Sequence, residues 1–309
     1  MSEDKLWPRA ATWLADGTEA NQTAVENGES NIGDFAVDLG VVGVPAHLTS
    51  ISTTGANTTP AAVREALKRY STWSWEHGTD IGELKAYDFG DSPSPDNPEG
   101  EARTSALVGF ATDAARLTVV IGGDNSVTFA AMRGAAPDLS RAALITLDAH
   151  HDLRDGVSNG SPVRRLVEAG LLGTRVVQIG IADFSNSPEY AERARQLGVT
   201  VIPRSTLRSQ TPAEVWALAV EAVGDADLIY VDIDVDVCDR AEVPACPAAA
   251  PGGISADELR QFAFLAGNTE RVNCIDITEI DASVDSPDQR TTRLAALLIL
   301  EAANGLANR

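Results

Sequence analysis

From residue 37 onward, short runs of β-branched and other apolar residues alternate with stretches of helical character. The runs are residues 37–44, 117–121, 142–147, 176–181, 199–202, 228–231 and 272–277. Strands that alternate with helices build a parallel sheet covered on both faces. No linker or short repeat interrupts the pattern, so we predict one α/β domain over residues 35–309. Residues 1–34 are polar and acidic, and we predict a loosely ordered arm there.

The net charge of −21 is the unusual feature of the composition, and only three lysines occur. So acidic a surface repels nucleic acid and anionic lipid, so neither is an expected partner. At low salt this self-repulsion destabilises the compact state, and molar salt shortens the screening length to roughly 3 Å. We therefore hypothesise a halophilic protein, whose stability rises between low and molar salt.

The sequence also predicts the cellular compartment of the protein. No stretch reaches the ~20 apolar residues of a membrane span. The N-terminus lacks a basic segment followed by an apolar one, so we expect no signal peptide. Cys238, Cys246 and Cys274 are odd in number and form no CxxC pair, which does not suggest a disulfide scaffold or a zinc–thiolate site. These features predict a cytoplasmic protein.

Asp148-Ala149-His150-His151-Asp152 follows one predicted strand. If the extended conformation continues, Asp148, His150 and Asp152 point the same way. Two carboxylates and an imidazole are costly to bury together unless a cation lies among them. Such mixed oxygen and nitrogen ligands suit Mn²⁺, Fe²⁺ or Zn²⁺. The alternative is an exposed acidic loop.

A second acidic run, Asp232-Ile233-Asp234-Val235-Asp236, follows the predicted strand 228–231. Alternation places its three carboxylates on one side, where they repel one another unless a cation intervenes. Ligands bind beyond the carboxyl ends of parallel strands, so both acidic segments are expected at one edge of the sheet. Two such segments favour two metal ions roughly 3.5–4 Å apart, with an activated water between them.

Two further strand ends carry polar residues. Gly122-Gly123-Asp124-Asn125-Ser126 is by itself typical of a capped turn. Glu279 lies where it could face the same pocket and bind a cationic amidine or guanidine, although a salt bridge in a loop is equally consistent. The chain has no GxSxG sequence and no nucleotide-binding glycine motif, so a serine nucleophile and a dinucleotide cofactor are not indicated.

These four strand ends, in this order, resemble the ureohydrolase superfamily of arginase, agmatinase and formimidoylglutamase. The resemblance runs from about Val37 to the C-terminus. It depends most on the DAHxD form of residues 148–152 and on an acidic motif continued by Pro244 and by Pro251-Gly252-Gly253. It implies a three-layer α/β/α sandwich on a mainly parallel sheet of about eight strands. It also implies two Mn²⁺ ions and assembly as trimers or hexamers.

The resemblance also implies roles for individual residues. Pro244 sets the register, which makes Asp234 and Asp236 ligands and puts Asp232 where the family usually has serine. The implied ligands are Asn125, Asp148, His150, Asp152, Asp234 and Asp236, with Asp148 and Asp234 bridging the two ions. Glu279 is similar to the glutamate that binds the amidine head. The family's first motif normally has histidine at the position of Asn125, and an amide oxygen is a weaker donor, so we expect that metal site to be weaker.

The loop after residue 152 bears on the substrate. Arginase-like members carry a histidine there, whereas this chain has Asn159, Arg164 and Arg165. These side chains suit carboxylate recognition, although the two arginines could merely decorate the first turn of a helix. With Asn125 and residues 184–190, the loop most resembles the formimidoylglutamase branch. That branch hydrolyses N-formimidoyl-L-glutamate to L-glutamate and formamide in histidine degradation.

We expect hydroxide attack on the amidine carbon, with Glu279 orienting the substrate. Asp152 or His151 then passes a proton to the leaving amine, unless His151 instead packs into the sheet as strand alternation favours. Two other functions stay open. One is a guanidino hydrolase that releases urea, similar to agmatinase or guanidinobutyrase. The other is a non-catalytic metal-binding relative, which only Asn125 supports.

Overall fold

A computed structural model describes residues 4, 6–18 and 37–309. Nine strands of this part of the chain form one sheet in the order β1-β5-β2-β6-β11-β10-β7-β8-β9, and all neighbouring pairs are parallel. A small antiparallel hairpin, β3–β4, lies outside the sheet. The strands are β1 Leu14–Asp16, β2 Val37–Val44, β3 Trp73–Ser74, β4 Thr79–Asp80, β5 Ala86–Asp91, β6 Ala115–Gly122, β7 Ala142–Leu147, β8 Val176–Ile181, β9 Thr200–Pro203, β10 Leu228–Asp234 and β11 Val272–Thr278.

Helices cover both faces of the sheet, which confirms the predicted three-layer α/β/α architecture. The α-helices of the described residues are α1 Thr59–Leu67, α2 Pro98–Ala114, α3 Val127–Ala135, α4 Pro162–Glu168, α5 Pro188–Leu197, α6 Pro212–Ala222, α7 Ala256–Asn268 and α8 Arg290–Ala307. One apolar core joins α1, α6, α7 and α8 to the sheet, and a second joins α2, α3, α4 and α5 to its other face. The central strands are mostly apolar because both faces of the sheet are buried.

Local sequence explains where several helices begin. Four start with proline, whose fixed φ suits the first helical position and whose missing N–H costs nothing there. Thr211 and Ser255 form capping boxes with Glu214 and Glu258, so the first N–H groups of α6 and α7 have partners. No helix of the described residues is long and apolar enough to cross a membrane.

Two strands of the nine-stranded sheet, β1 and β5, were not predicted from the sequence, and neither was the β3–β4 hairpin. β5 carries alternating polar residues, and β1 has only three residues at the edge of the sheet. Part of the predicted arm therefore pairs with the sheet, because residues 14–16 lie beside residues 86–88. Residues 19–34 of that predicted arm lie outside the described residues.

The four strands that precede the polar segments are neighbours at the centre of the sheet, in the order β6-β11-β10-β7. Near their carboxyl ends these strands are in regular register: Asp232 of β10 lies beside Thr146 of β7 and Asp276 of β11. Since the strands are parallel, their carboxyl ends meet at one edge. That edge places residues 122–126, 148–152, 234–236 and 279 together.

Candidate metal centre

Asp148, His150 and Asp236 offer ligand atoms that all lie within 4.8 Å of one another. The Nδ1 of His150 is 2.6 Å from Oδ2 of Asp236 and 3.5 Å from Oδ1 of Asp148. The same two carboxylates also hold the backbone of residues 149 and 150. Asp148 Oδ1 accepts a hydrogen bond from His150 N, and Asp236 Oδ1 accepts one from Ala149 N. The close histidine contact lies outside hydrogen-bond geometry, so the buried Oδ2 atoms of both aspartates accept no hydrogen bond from the described residues.

The charges of this cluster are strongly perturbed. Burial raises the pKa of Asp148 to about 7, and the neighbouring Asp236 carboxylate adds to the rise. Burial alone would lower the pKa of His150, but Asp148 and Asp236 outweigh it and raise the pKa to about 11. The cluster thus favours a positive charge at its centre. A divalent cation is a better occupant than a proton because it also satisfies the orphaned carboxylate oxygens.

Asp234 and Asp152 complete the acidic group. Asp234 is 3% exposed, and its Oδ1 accepts a hydrogen bond from Asp236 N at 2.8 Å, which caps the 3₁₀ turn Val235–Val237. Asp152 is buried with φ of +52°, a left-handed conformation uncommon outside glycine. Burial, followed by repulsion from Asp148 or Asp236, raises the pKa of both carboxyls. This side of the cavity has the oxygen donors that a second cation requires.

Backbone turns, rather than strand alternation, bring these ligands together. β7 ends at Leu147 and β10 ends at Asp234, so Asp152 and Asp236 lie beyond the pleat. Asp152 and Asp236 line one cleft, but the predicted cause of their convergence, a continued extended strand, was wrong. Asp236 instead reaches the cluster through the 3₁₀ turn, and Asp152 through its left-handed backbone.

Asn125 is buried beside Asp152, but its orientation is not that of a ligand. Its Nδ2 donates to Asp152 Oδ2 at 2.6 Å, whereas its Oδ1 accepts from Thr128 Oγ1 at 2.8 Å and Thr278 Oγ1 at 3.0 Å. The predicted ligation through Oδ1 requires the amide to turn over. Both threonine hydroxyls can accept as well as donate, so they can satisfy either orientation.

His151 does not face the cavity. Its Nδ1 lies 2.6 Å from Oε1 of Gln178, and Gln178 Nε2 donates to the carbonyl of His151. Burial lowers the pKa of this imidazole, so the neutral form is favoured. The assignment of His151 to proton transfer is corrected accordingly: His151 packs against β8, the alternative that alternation favoured.

Glu279 is held on the floor of the cavity. Its backbone has φ of +62°, and its Oε1 accepts from Asn125 N and from Asn159 Nδ2, both at 2.8 Å. Burial raises the pKa of Glu279 to about 7, and repulsion from Asp124 adds to this, while the two donors oppose it. A cation placed against Glu279 would relieve this penalty.

A cleft of about 290 Å³ opens above these groups. Its floor is acidic, and its wall comes from the loops after β7, β8 and β10. The lining residues are Ile51, Ser52, His150, Asp152, Leu153, Arg154, Asn159, Gly160, Ser185, Asn186, Ser187, Tyr190, Asp234, Asp236, Pro247, Ala248 and Glu279. The cleft suits a small polar molecule with a cationic end.

The two arginines predicted to read a carboxylate lie elsewhere. Arg165 makes a bidentate ion pair with Glu101, at 2.7 and 2.8 Å, and stacks over Phe129. Arg164 donates to the carbonyl groups of Arg154 and Gly156 and therefore fixes the loop that follows Asp152. Both predictions of substrate contact are wrong. They followed from residue type, and the helix α4 turns these side chains away from the cleft.

The sequence interpretation missed Arg204, which is 8% exposed behind the metal centre. Its Nη2 donates to the carbonyl of Val237 at 3.0 Å and contacts that of Asp236 at 3.3 Å. It therefore supports the 3₁₀ turn that carries Asp236. The only sequence signal was a basic residue directly after a strand, which does not distinguish it from other arginines.

Comparisons with known proteins relate this chain to one family. A sequence model of the arginase family matches residues 37–304. The formimidoylglutamase of Halalkalibacterium halodurans is 36% identical over 280 residues, which cover 86% of each chain.

Two solved structures share the fold. The crystal structure of the formimidoylglutamase of Bacillus subtilis superposes with a TM-score of 0.89 at 28% identity, covering 99% of this chain and 94% of the other. The Trypanosoma cruzi formiminoglutamase with Mn²⁺ superposes with a TM-score of 0.85 at 26% identity, covering 98% and 99%.

Proposed function

Because this chain belongs to the arginase family, we propose that it is a formimidoylglutamase, which hydrolyses N-formimidoyl-L-glutamate to L-glutamate and formamide. This is a hydrolysis of a linear amidine and a step of histidine degradation. The observation that carries the proposal is the buried carboxylate cluster of Asp148, Asp234 and Asp236, with Glu279 facing the same cleft.

We further propose that two Mn²⁺ ions bind this cluster. Asp148, His150, Asp234 and Asp236 would hold one ion, and Asp152 would complete a second site together with Asp148 and Asp234. The buried Oδ2 of Asp148, which has no hydrogen-bond partner among the described residues, and Oδ2 of Asp236, which contacts only the imidazole of His150, fit a cation of this kind. When bound, such a metal pair would lower the pKa of a bound water toward ~7 and so supply a nucleophile at neutral pH. Asn125 contributes to the second site only if its amide turns over.

The side chains of this chain orient the substrate. Glu279, when ionised, pairs with the amidinium group, and Asn159 and the backbone N–H of Asn125 keep its carboxylate in place. The cleft would therefore present the amidine carbon toward the carboxylates of Asp152 and Asp234. Pairing with Glu279 also keeps the positive charge on the amidine, which makes its carbon more electrophilic.

Proton transfer is assigned to Asp152. Its buried carboxylate lines the same cleft as Glu279, where it can accept a proton from the attacking water and later release it. The carbon–nitrogen bond to glutamate breaks as this proton reaches the leaving amine. The remaining carbon keeps the oxygen of water and one nitrogen, which gives formamide.

One assay tests the proposal against guanidino hydrolysis. The Mn²⁺-loaded protein in molar salt is incubated with formimidoylglutamate, agmatine, guanidinobutyrate and arginine, and glutamate and urea are measured. Release of glutamate from formimidoylglutamate, with no urea from the other three, is the expected result. Urea without glutamate would show a guanidino hydrolase, and no turnover of any substrate would favour a non-catalytic relative. Homo-oligomerisation stays a prediction, which the size of the protein in solution tests.

A further inference from the structure

Among the described residues, the wall of the acidic cleft carries a single arginine, Arg154, and no lysine. Four carboxylates line the same cleft, namely those of Asp152, Asp234, Asp236 and Glu279. They suit the cationic amidine but repel both carboxylates of formimidoylglutamate. A dianionic substrate therefore needs a positive group in this cleft besides the metal centre.

The Arg154 side chain makes no hydrogen bond or ion pair with any other residue of the described part of the chain. Its backbone, in contrast, is fixed: its N–H donates to Gly160 O at 2.9 Å, and its carbonyl accepts from Arg164 Nε at 2.6 Å. Arg193 holds the adjacent carbonyl of Leu153. The loop thus presents an unpaired guanidinium from a rigid backbone, although acidic residues outnumber basic ones by 45 to 24 in this chain.

Gly160 provides the space in which Arg154 lies. A Cβ at residue 160 would be 2.7 Å from Cδ of Arg154 and 3.1 Å from its Nε, so any larger residue would displace the side chain. Gly160 has no left-handed backbone that would itself require glycine. The lack of a side chain at Gly160 therefore leaves the space that Arg154 occupies along the wall of the cleft.

Depth in the cleft indicates which end of the substrate meets Arg154. Glu279 is 4% exposed on the floor, whereas Arg154 is exposed at the mouth. Asn159 lies between these levels, since it donates to Glu279 and accepts from Ile51 N. A substrate whose amidine pairs with Glu279 extends its far end toward Arg154.

We propose that Arg154, seated on Gly160, binds the side-chain carboxylate of formimidoylglutamate, the one farther from the amidine. The inference rests on the proposed function and assigns this arginine a role in specificity. A guanidinium can hold a carboxylate by two parallel hydrogen bonds. A substrate that ends in an amine, such as agmatine, would place a second cation against Arg154 and is disfavoured.

The test uses Arg154→Met, Arg154→Lys and Gly160→Ala in the Mn²⁺-loaded full chain, with Arg208→Met as a matched surface control. Three substrates are compared: N-formimidoyl-L-glutamate, N-formimidoyl-L-norvaline, which lacks the far carboxylate, and N-formimidoyl-4-aminobutyrate, which lacks the near one. Loss of a hydrogen-bonded charge pair predicts a rise in KM of about 10- to 100-fold for Arg154→Met with both substrates that keep the far carboxylate. The norvaline substrate should be unaffected, and kcat should change little.

Arg154→Lys should fall between Met and the native residue because it keeps the charge without the planar fork. Gly160→Ala should raise KM for formimidoylglutamate although the guanidinium is still present, and a thermal melt should show that the variant is folded. The inference is overturned if Arg154→Met leaves the preference for glutamate over norvaline unchanged. It is also overturned if Arg208→Met has the same effect as Arg154→Met. Native protein that hydrolyses none of the three substrates would instead refute the proposed function.

Discussion

Replacing Glu279 with glutamine should lower activity and raise the stability of the metal-free protein. Glutamine has nearly the same shape, and its Oε1 can still accept from Asn125 N and Asn159 Nδ2. The substitution therefore removes the negative charge and leaves the hydrogen bonds. Pairing with the amidinium is lost, and a hydrogen bond to a charged group contributes about 1.5–3 kcal/mol. We expect kcat/KM to fall about 10- to 150-fold.

Glu279→Gln should lower activity but raise the free energy of unfolding of the metal-free protein. Burial and Asp124 raise the pKa of Glu279 from 4.5 to about 7, which makes its ionised form less stable by about 3 kcal/mol in the folded metal-free protein. A pKa raised on folding gives stability that is present below the unfolded pKa and is lost as the pH rises through about 7. Glutamine cannot ionise, so the variant escapes this loss. Its advantage over the native protein should grow by about 2–3 kcal/mol between pH 5 and pH 8.

Urea unfolding of the metal-free protein at pH 5 and pH 8, in molar salt with a chelator, measures this difference. Glu221→Gln, at an exposed position, is the matched control and should show no pH-dependent gain. Steady-state kinetics and Mn²⁺ content are measured on the same preparations. The reasoning is refuted if Glu279→Gln is less stable than the native protein at pH 8, or if its kcat/KM is unchanged while metal content is normal.

Four further outcomes are expected. Asn125→His should raise affinity for the second Mn²⁺, because imidazole is the stronger donor; calorimetric titration of metal-free protein showing equal affinity would contradict this. Arg165→Met should lower the free energy of unfolding by about 1–3 kcal/mol and leave KM unchanged, because Arg165 pairs with Glu101 rather than with substrate. A raised KM in a fully stable variant would restore the substrate role of Arg165. Arg204→Met should weaken Mn²⁺ binding by loosening the turn that carries Asp236, whereas Arg204→Lys should keep part of the native affinity. Equal Mn²⁺ affinities of the native protein and Arg204→Met would argue against a role of Arg204 in holding this turn. The unfolding free energy of the native protein should rise from low to molar salt, since the net charge is −21, and a flat dependence would remove the halophilic hypothesis.

The positions of most strands along the chain, and the acidic residues at their ends, were readable from the sequence because they depend on local patterns. A β-branched run buried on both faces gives a parallel strand wherever it occurs, and the predicted runs coincide with β2, β6, β7, β8, β9, β10 and β11. The carboxyl ends of neighbouring parallel strands then have to meet at one edge. This was enough to place Asp148 and Asp234 together without any knowledge of distances.

Only the tertiary structure decided which side chains beyond those ends enter the cleft. Asn125 and Glu279 are hydrogen-bonded across 154 positions of sequence, and no local pattern encodes such a contact. Arg154, Arg164 and Arg165 are chemically equivalent in the sequence. Helix α4 and the turn after Asp152 place Arg154 at the mouth of the cleft, and they place Arg164 and Arg165 away from it. The sequence alone determined the sheet and its acidic edge, because periodicity fixes which residues are buried. Side-chain direction beyond a strand end depends on turn geometry and distant partners, so only the folded chain assigns the residues that touch a substrate.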